Sequence, residues 1–373
     1  MKKIFKLEEL QLGNLIFFFI IYLITTNSYF NYEQSLIFGG ADGFSYFEIS
    51  QSAPKFANIP LQPIHAERFF FPFLIGLLNK LFSIEIYSLY QIFVFVVIVL
   101  INCLLIRILR NAGVNSFNLL ISITLLNLNP YLTRYYIANP LILNDLIFIL
   151  GTLNSILGIS LKNKKMLFIG LIISSLARQS AIAIPISLFV IFFLTKKKFF
   201  LNSKDIIFLF VIFIFTYFLG YFYSGSIPQT EERYDQYFIT IFGIFIENVS
   251  FQKITLFLIW PFLSFAPLIM FLIFYFKINK KKLETFYDLS LFLIFFSTLI
   301  IAQPLLQGYE VSGKNIIRLS SMAFLPIMIL FQINSKPIFL KIDFKIIFYF
   351  IIIFIWNCHP TFSIFDFLEN YRF

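Results

Sequence analysis

The chain has 373 residues, of which 59% are hydrophobic and only 13% are charged, and its mean hydropathy is +0.86. Apolar runs of about 13 to 20 residues recur at short intervals, which is typical of helices that cross a bilayer and argues against a soluble domain. The net charge of +10 does not indicate a nucleic-acid partner, because the lysines form short clusters beside the apolar runs, as topology signals do.

In chain order, the first predicted span covers residues 13–30 and follows the basic segment MKKIFK. No small-residue cleavage site comes after it, so we interpret it as an uncleaved helix rather than a signal peptide. No internal repeat or low-complexity linker divides the chain, which predicts one all-α, polytopic membrane domain over residues 1–373. About eleven transmembrane helices are expected, the other ten near residues 86–106, 116–129, 142–160, 166–177, 181–194, 205–223, 254–276, 287–304, 317–333 and 344–357.

The basic residues predict an orientation for these spans. With the N-terminus in the cytoplasm, 19 of the 29 basic residues fall in cytoplasmic segments, as the positive-inside rule requires, and the C-terminus is outside. The segment 166–194 could form one overlong helix, but lysine clusters at both of its ends favour a hairpin whose tip, near Arg178 and Gln179, reaches the outer side. The expected location is the cell inner (plasma) membrane, with the N-terminus in the cytoplasm.

The first outer loop, residues 31–85, collects most of the polar chemistry that precedes the second span. Gly39, Gly40 and Gly43 surround Asp42 and are expected to let the backbone place this carboxylate at the mouth of the helix bundle. Two interfacial helices are predicted in this loop. The first contains Tyr46 as a membrane-level anchor, the second begins at Pro72, and the link between them carries His65 and Arg68.

Two other charged side chains of the first outer loop, Glu48 and Glu67, are candidates for secondary roles or for binding an acceptor, the molecule whose hydroxyl group would be activated. Activation of a hydroxyl next to a phosphate requires at least a carboxylate near the water boundary to act on the hydroxyl and a cation beside it to stabilise the phosphate. The alternative is that these charges only solvate an outer loop.

Three further charges lie in or near later spans. Asp145 lies just inside an apolar span, where a carboxylate costs about 2.5–3.5 kcal/mol at the bilayer centre and therefore usually faces a cavity or a partner; a helix-start acid is the alternative. Arg178 and Arg318 carry guanidinium groups suited to phosphate oxygens, although snorkelling to the interface would also explain them. We predict that Arg178 and Arg318 converge on the same outer cavity as Asp42, because charges at this depth are costly unless they serve one hydrated site.

The cysteines and histidines indicate no metal site. Cys103 and Cys358 lie in or beside predicted spans without metal or redox spacing, and two histidines are too few for a His-based site.

Three segments together resemble the GT-C class of integral membrane glycosyltransferases, in particular bacterial members of uncharacterised specificity. They are ADGFSYFEIS followed by HAERFFFPFLIGLL, the turn ISSLARQSAIAIPISLF, and GKNIIRLSSMAFLP, and they cover roughly the first 190 residues and a patch near residues 313–326.

The resemblance implies inverting transfer of a sugar from a polyprenyl-phosphate donor to a cell-envelope acceptor on the outer face of the membrane. Asp42 matches the catalytic acid of the first loop and Asp145 that of the second, whereas Arg178, Arg318, Arg68 and His65 would hold the donor phosphate. Gly43 replaces the second acid of the paired dipeptide found in some members, so the dependence on a divalent cation stays open. The oligomeric state is also open.

A polytopic transporter or lipid flippase is the alternative function. Such a protein would more often place charges or broken helices at mid-bilayer in paired repeats, whereas here the acids and arginines are predicted on one side.

Overall fold

The computed structural model describes residues 32–129, 131–195, 199–229, 265–307, 316–336, 348–349 and 351. These residues are mainly helical, and strand pairing within them is limited to two isolated bridges. In chain order the helices are α1 Tyr32–Ser52, α2 Pro63–Ala66, α3 Phe70–Phe82, α4 Ile86–Asn111, α5 Ser116–Asn127, α6 Thr133–Ala138, α7 Leu143–Ser160, α8 Lys164–Ala177, α9 Ala183–Thr195, α10 Ser203–Gly225, α11 Lys280–Thr285, α12 Tyr287–Gln307, α13 Ile316–Ser321 and α14 Phe324–Asn334.

Four of the described helical segments are long and apolar enough to cross a membrane: Ile86–Asn111, Pro140–Ser160, Ser203–Gly225 and Tyr287–Pro304. Shorter apolar helices occupy the predicted spans near 116–129, 166–177, 181–194 and 317–333. A 13-residue helix is only about 20 Å long, less than the hydrocarbon thickness of about 30 Å. The predicted span 13–30 lies outside the described residues, as does most of 344–357, and of the predicted span 254–276 the structure describes the second half, with the apolar helix Phe265–Tyr275. The structure therefore supports an α-helical membrane protein without fixing eleven spans.

Glycine and serine residues bring α7 and α8 unusually close together. A Cβ atom at Gly151 would lie 2.5 Å from Ser174 Oγ, and one at Gly170 would lie 2.4 Å from Ser155 Oγ. Small residues at helix contacts allow backbones to approach within membranes, where packing rather than hydrophobicity drives association. This close antiparallel pair forms the rigid centre against which the neighbouring helix α4 also packs.

The chain reverses direction at Arg178, as the lysine clusters predict. Lys164 Nζ, at the start of α8, lies 2.6 Å from Asp205 Oδ2 at the start of α10, so these two helix starts are at the same end of the molecule. Between them, α8 runs to Arg178 and α9 returns. Arg178 therefore occupies the tip of the reversal, at the end of the molecule opposite Lys164.

Lys162, two residues before Lys164, lies close enough to Asp288 of α12 for their charges to interact, which places the turn before α12 at the Lys164 end of the molecule. The turns at this end contact one another directly. Lys282 Nζ donates to Ala112 O at 3.2 Å and to Gly113 O at 2.9 Å, and Asn279 N donates to Asn334 O at 2.8 Å. These segments are the ones that the sequence assigns to the cytoplasmic side.

The prediction of a flexible glycine-containing loop around Asp42 is wrong. Residues Tyr32–Ser52 form one continuous helix, so Gly39, Gly40 and Gly43 are helical. The helix packs closely at its far end, where a Cβ atom at Gly76 of α3 would lie 2.0 Å from Ser50 O. Tertiary packing of this kind outweighs the unfavourable helix propensity of glycine, which is about 1 kcal/mol per residue.

Candidate active site

Asp42 lies inside α1 with its carboxylate facing the protein interior, and the residue is 8% exposed. His65 Nε2 lies 2.5 Å from Asp42 Oδ1, and Arg318 Nη2 donates to Asp42 Oδ2 at 2.6 Å. Each carboxylate oxygen is therefore already held by a nitrogen donor, which meets the requirement that a buried charge be paired.

A short turn of chain presents His65 and Arg68 to this carboxylate. Pro63 occupies the first turn of α2, where its missing N–H costs nothing. Ser224 Oγ of α10 donates to Pro63 O at 3.5 Å, and Arg68 N donates to His65 O at 3.1 Å. The link between α1 and α3 thus lies against α10, so its polar side chains are inside the bundle.

The second aspartate, Asp145, is in the first turn of α7 and is fully buried. Its Oδ1 forms a buried ion pair with Arg178 Nη1, and Tyr136 Oη donates to its Oδ2 at 3.2 Å. The position at a helix N-terminus also favours a negative charge. Asp145 therefore has partners as well as a favourable helix position, and its functional role stays a prediction.

Arg318 of α13 connects the two aspartates. Besides its hydrogen bond to Asp42, its Nε lies 3.5 Å from Asp145 Oδ2, a charge contact that lacks hydrogen-bond geometry. The structure therefore brings Arg178, Arg318 and both aspartates into one buried cluster. The two arginines converge with Asp42 as predicted, whereas the hydrated outer cavity around them stays a prediction.

Arg68 completes this ionic cluster, which we define as Asp42, Asp145, Arg68, Arg178 and Arg318. The Arg68 guanidinium donates to neutral acceptors, from Nε to Gln179 Oε1 at 2.9 Å and from Nη1 to Tyr46 Oη at 3.3 Å. All five side chains are at most 8% exposed. Among the described residues the ionic cluster as defined has three arginines against two aspartates, a positive surplus of one, and Glu67 is joined to Arg68 through Gln179.

The positive surplus affects the acidity of Asp42. Burial by itself raises the pKa of the Asp42 carboxyl. The opposing effect of Arg318, His65 and Arg68 is larger, and it holds this pKa well below the ordinary value. Asp42 is therefore an ionised carboxylate at neutral pH, and one that binds a proton only weakly.

Tyr46 is not the membrane-level anchor that the sequence predicts. The side chain is completely buried, and its hydroxyl contacts Arg68. The physical reason is helical periodicity, because Tyr46 follows Asp42 by four residues and shares its inward face.

The two candidate glutamates of the first outer loop, Glu48 and Glu67, are in different surroundings. Glu67 Oε2 accepts from Gln179 Nε2 at 2.9 Å, which links it to Arg68 through a shared amide. Glu48 is partly exposed, and burial raises its pKa. Within the described ranges no hydrogen bond or ion pair joins Glu48 to the ionic cluster.

Three site residues were not selected from the sequence. Gln179 bridges Arg68 and Glu67, Tyr136 contacts Asp145, and Ser45 Oγ lies 3.3 Å from His65 Nδ1. Ser45 follows Asp42 by three residues, so helical periodicity could have placed both on one face had the segment been read as a helix.

The described side chains do not suit a divalent cation. In the parts of the chain that the structure describes, no three His, Cys, Asp or Glu residues are grouped as metal ligands. Both aspartates already contact arginine nitrogens, and the positive surplus of the ionic cluster would repel a metal cation.

The arrangement can accept an anion beside an ionised carboxylate, with a histidine and a serine within hydrogen-bond reach. Comparison with known proteins adds no identification. The chain matches no protein-family model, no curated protein and no solved structure.

Proposed function

We propose that the protein is a membrane glycosyltransferase that moves a sugar from a polyprenyl-phosphate donor to a cell-envelope acceptor at the outer face of the membrane. The observation that carries this proposal is the positive surplus of the buried ionic cluster. Within the described residues Arg68 donates to neutral acceptors while the other two arginines contact the aspartates, and a buried cluster of this composition favours an anionic ligand. The resemblance to GT-C glycosyltransferases favours the same function.

A phosphate-linked donor matches this surplus chemically. A sugar–phosphate–lipid diester carries one negative charge, and its phosphate gains negative charge as the bond to the sugar breaks. Arginines held in place before the reaction stabilise such a developing charge without reorganising, which is usually the largest contribution to catalysis. Guanidinium groups also match the geometry of phosphate oxygens.

As the entry point from the membrane to the ionic cluster we propose a small crevice beside Arg68, which has room for about one water molecule. It is lined by the polar side chains Glu67, Ser175, Gln179 and Thr216 together with the aromatic side chains Phe213 and Tyr217. Thr216 lies about 20 Å along α10 from its start at Ser203. The same helix exposes many apolar side chains, including Phe215 and Phe218, as expected of a surface that faces lipid tails. We assign this crevice to the polyprenyl-phosphate group as it enters from the bilayer.

The test is binding and transfer by the purified full chain with a panel of polyprenyl-phosphate sugars, read as release of polyprenyl phosphate. Thr216→Trp would fill the crevice and should weaken binding of polyprenyl phosphate at least about tenfold. Phe215→Trp is the matched control, because Phe215 is 64% exposed on the same helix and its replacement should leave binding unchanged. Unchanged binding by Thr216→Trp would exclude the crevice as the route.

A transporter is distinguished by the same assay. A flippase would move polyprenyl phosphate or its sugar derivative between leaflets of a vesicle without breaking the bond between sugar and phosphate. Movement of intact lipid with no release of polyprenyl phosphate for any donor would overturn the proposed transfer.

A further inference from the structure

Asp42, His65 and Ser45 form one chain of polar contacts inside the protein. Asp42 Oδ1 lies 2.5 Å from His65 Nε2, and His65 Nδ1 lies 3.3 Å from Ser45 Oγ. Asp42 is 8% exposed, His65 6% and Ser45 2%. An imidazole thus joins a carboxylate to a hydroxyl at a site shielded from bulk water.

The direction of each hydrogen bond follows from the chemistry of the groups. An ionised carboxylate can only accept, so Nε2 of His65 carries the hydrogen that faces Asp42. In the neutral imidazole the other nitrogen, Nδ1, then has a lone pair and accepts from the Ser45 hydroxyl. The result is the logic of a Ser-His-Asp triad with the two ring nitrogens exchanged.

Asp42 is poorly suited to accept a proton by itself. Its two oxygens are held by His65 and Arg318, and protonation would weaken the charge-assisted bond to Arg318 that has its donor and acceptor 2.6 Å apart. The lone pair of His65 Nδ1 faces the neutral Ser45 hydroxyl, so protonation there breaks no charge-assisted hydrogen bond. Imidazole is also the side chain that most often serves as a general base.

We propose that His65 Nδ1, reached through the Ser45 hydroxyl, takes the proton of the acceptor hydroxyl, while Asp42 stabilises the imidazolium that forms. This inference rests on the proposed glycosyl transfer. The acceptor oxygen bonds to the anomeric carbon as the bond between that carbon and the phosphate oxygen breaks. The electron pair of the broken bond leaves with the lipid phosphate. The acceptor proton passes to Ser45 Oγ, and the Ser45 proton passes to His65 Nδ1.

Charges on several elements face His65. Asp42 of α1 favours the imidazolium, whereas Arg68, which follows α2, and Arg318 of α13 disfavour a further positive charge. The Tyr46 ring meets the His65 ring edge-on with the ring centres 6.2 Å apart, and α10 presents Ser224 to the backbone of α2.

The hydrogen-bond chain can be tested without any substrate, because the protein contains only the two histidines His65 and His359. The full chain with His359→Gln, labelled with nitrogen-15 in histidine and kept in detergent micelles, should give one imidazole, whose nitrogen shifts report the hydrogen on Nε2. Ser45→Ala should move the Nδ1 signal and Asp42→Asn the Nε2 signal. A hydrogen found on Nδ1, or a signal indifferent to Ser45→Ala, would overturn the proposal.

The second arm measures transfer from a polyprenyl-phosphate sugar. Ser45→Ala and His65→Gln should each lower kcat about 100-fold with little change in donor KM. Ser45→Thr keeps the hydroxyl and should restore most of the rate. Ser122→Ala is the matched control, because it removes a buried hydroxyl of α5 that bonds only to its own helix at Asn118 O.

The outcomes separate this proposal from the proposed function. Normal kcat in Ser45→Ala would overturn the proton relay, by which we mean transfer of the acceptor proton through Ser45 to His65, while sugar transfer itself would stand. A sugar found covalently attached to Ser45 would overturn the proton relay in favour of a nucleophilic serine. If the unaltered protein transfers no sugar from any donor, the proposed function fails together with the catalytic role of the relay, whereas the nitrogen signals still decide the hydrogen-bond chain.

Discussion

Arg318 is the residue on which the site depends, because it contacts both aspartates. Its Nη2 is 2.6 Å from Asp42 and its Nε is 3.5 Å from Asp145. Only a planar group with several fixed donors can reach two carboxylates in this way, and a lysine would supply a single point of charge. The two acids that the GT-C resemblance matches are therefore parts of one ionic cluster.

At the scale of single residues, we predict that Asp42→Asn lowers turnover about 100-fold or more. The change preserves size but removes the negative charge, and a group that acts in general base catalysis contributes on this order. The donor affinity should change little, since the arginines bind the phosphate. The measurement is kcat and donor KM with a polyprenyl-phosphate sugar, alongside thermal unfolding to show that the variant is folded.

Asp145→Asn is the comparison for this measurement. Normal turnover in Asp42→Asn with none in Asp145→Asn would move the central role to Asp145. Normal transfer by both variants would contradict glycosyl transfer at this site.

At the scale of elements, the pair α7–α8 determines where the charges meet. Asp145 begins α7 and Arg178 follows α8, so the spacing between these helices sets the distance between a carboxylate and its guanidinium. Gly151 lies near the middle of this contact, where a Cβ atom would be 2.6 Å from the backbone nitrogen of Ser174. Backbone atoms cannot move aside as a side chain would, so any larger residue must separate the helices.

We therefore predict that Gly151→Leu destabilises the protein by about 1–3 kcal/mol or more, the usual scale for overpacking. It should also weaken polyprenyl-phosphate binding, because it separates Arg178 from Asp145. Thermal unfolding in detergent and lipid-phosphate binding check the two effects.

Ile169→Phe is the matched control for this substitution, since Ile169 is 52% exposed on α8 and points away from α7. A Gly151→Leu protein as stable as this control would show that the close approach of the helices is not required.

At the scale of the whole molecule, the polar turns divide between two ends. One end gathers the turns that carry Gly113, Lys164 and Lys282, and the other holds the ionic cluster and the bridge between Leu61 and Gln229. This division fits a protein that spans a bilayer with its site at one face.

The predicted orientation places the ionic cluster outside the cell. In a background with Cys103→Ser and Cys358→Ser, a membrane-impermeant maleimide added to intact cells should label Lys55→Cys and not Glu284→Cys, because these exposed positions lie at opposite ends. Permeabilised cells provide the control in which both should react. The reverse pattern in intact cells would place the site in the cytoplasm and contradict the positive-inside assignment.

The sequence by itself determined the helical membrane class, the reversal at Arg178 and the residue types of the ionic cluster. Long apolar runs leave a chain in lipid little choice but helix, because every backbone N–H and C=O must be satisfied internally. Lysine clusters mark the ends of helices because moving them into lipid is costly. Asp42, Asp145, Arg178 and Arg318 were identifiable since charges are rare in this chain.

The tertiary structure alone decided the helical state of Gly39–Gly43 and the partners of each charge. Glycine propensity argued for a loop, but the helix that contains these residues packs against α3 and against the turn after Asn139, where Gly43 faces Leu141. Arg318 meets Asp42 across 276 residues, and His65 meets Ser45 across 20. Such pairings follow from how helices pack against one another, and no local pattern of residues encodes them.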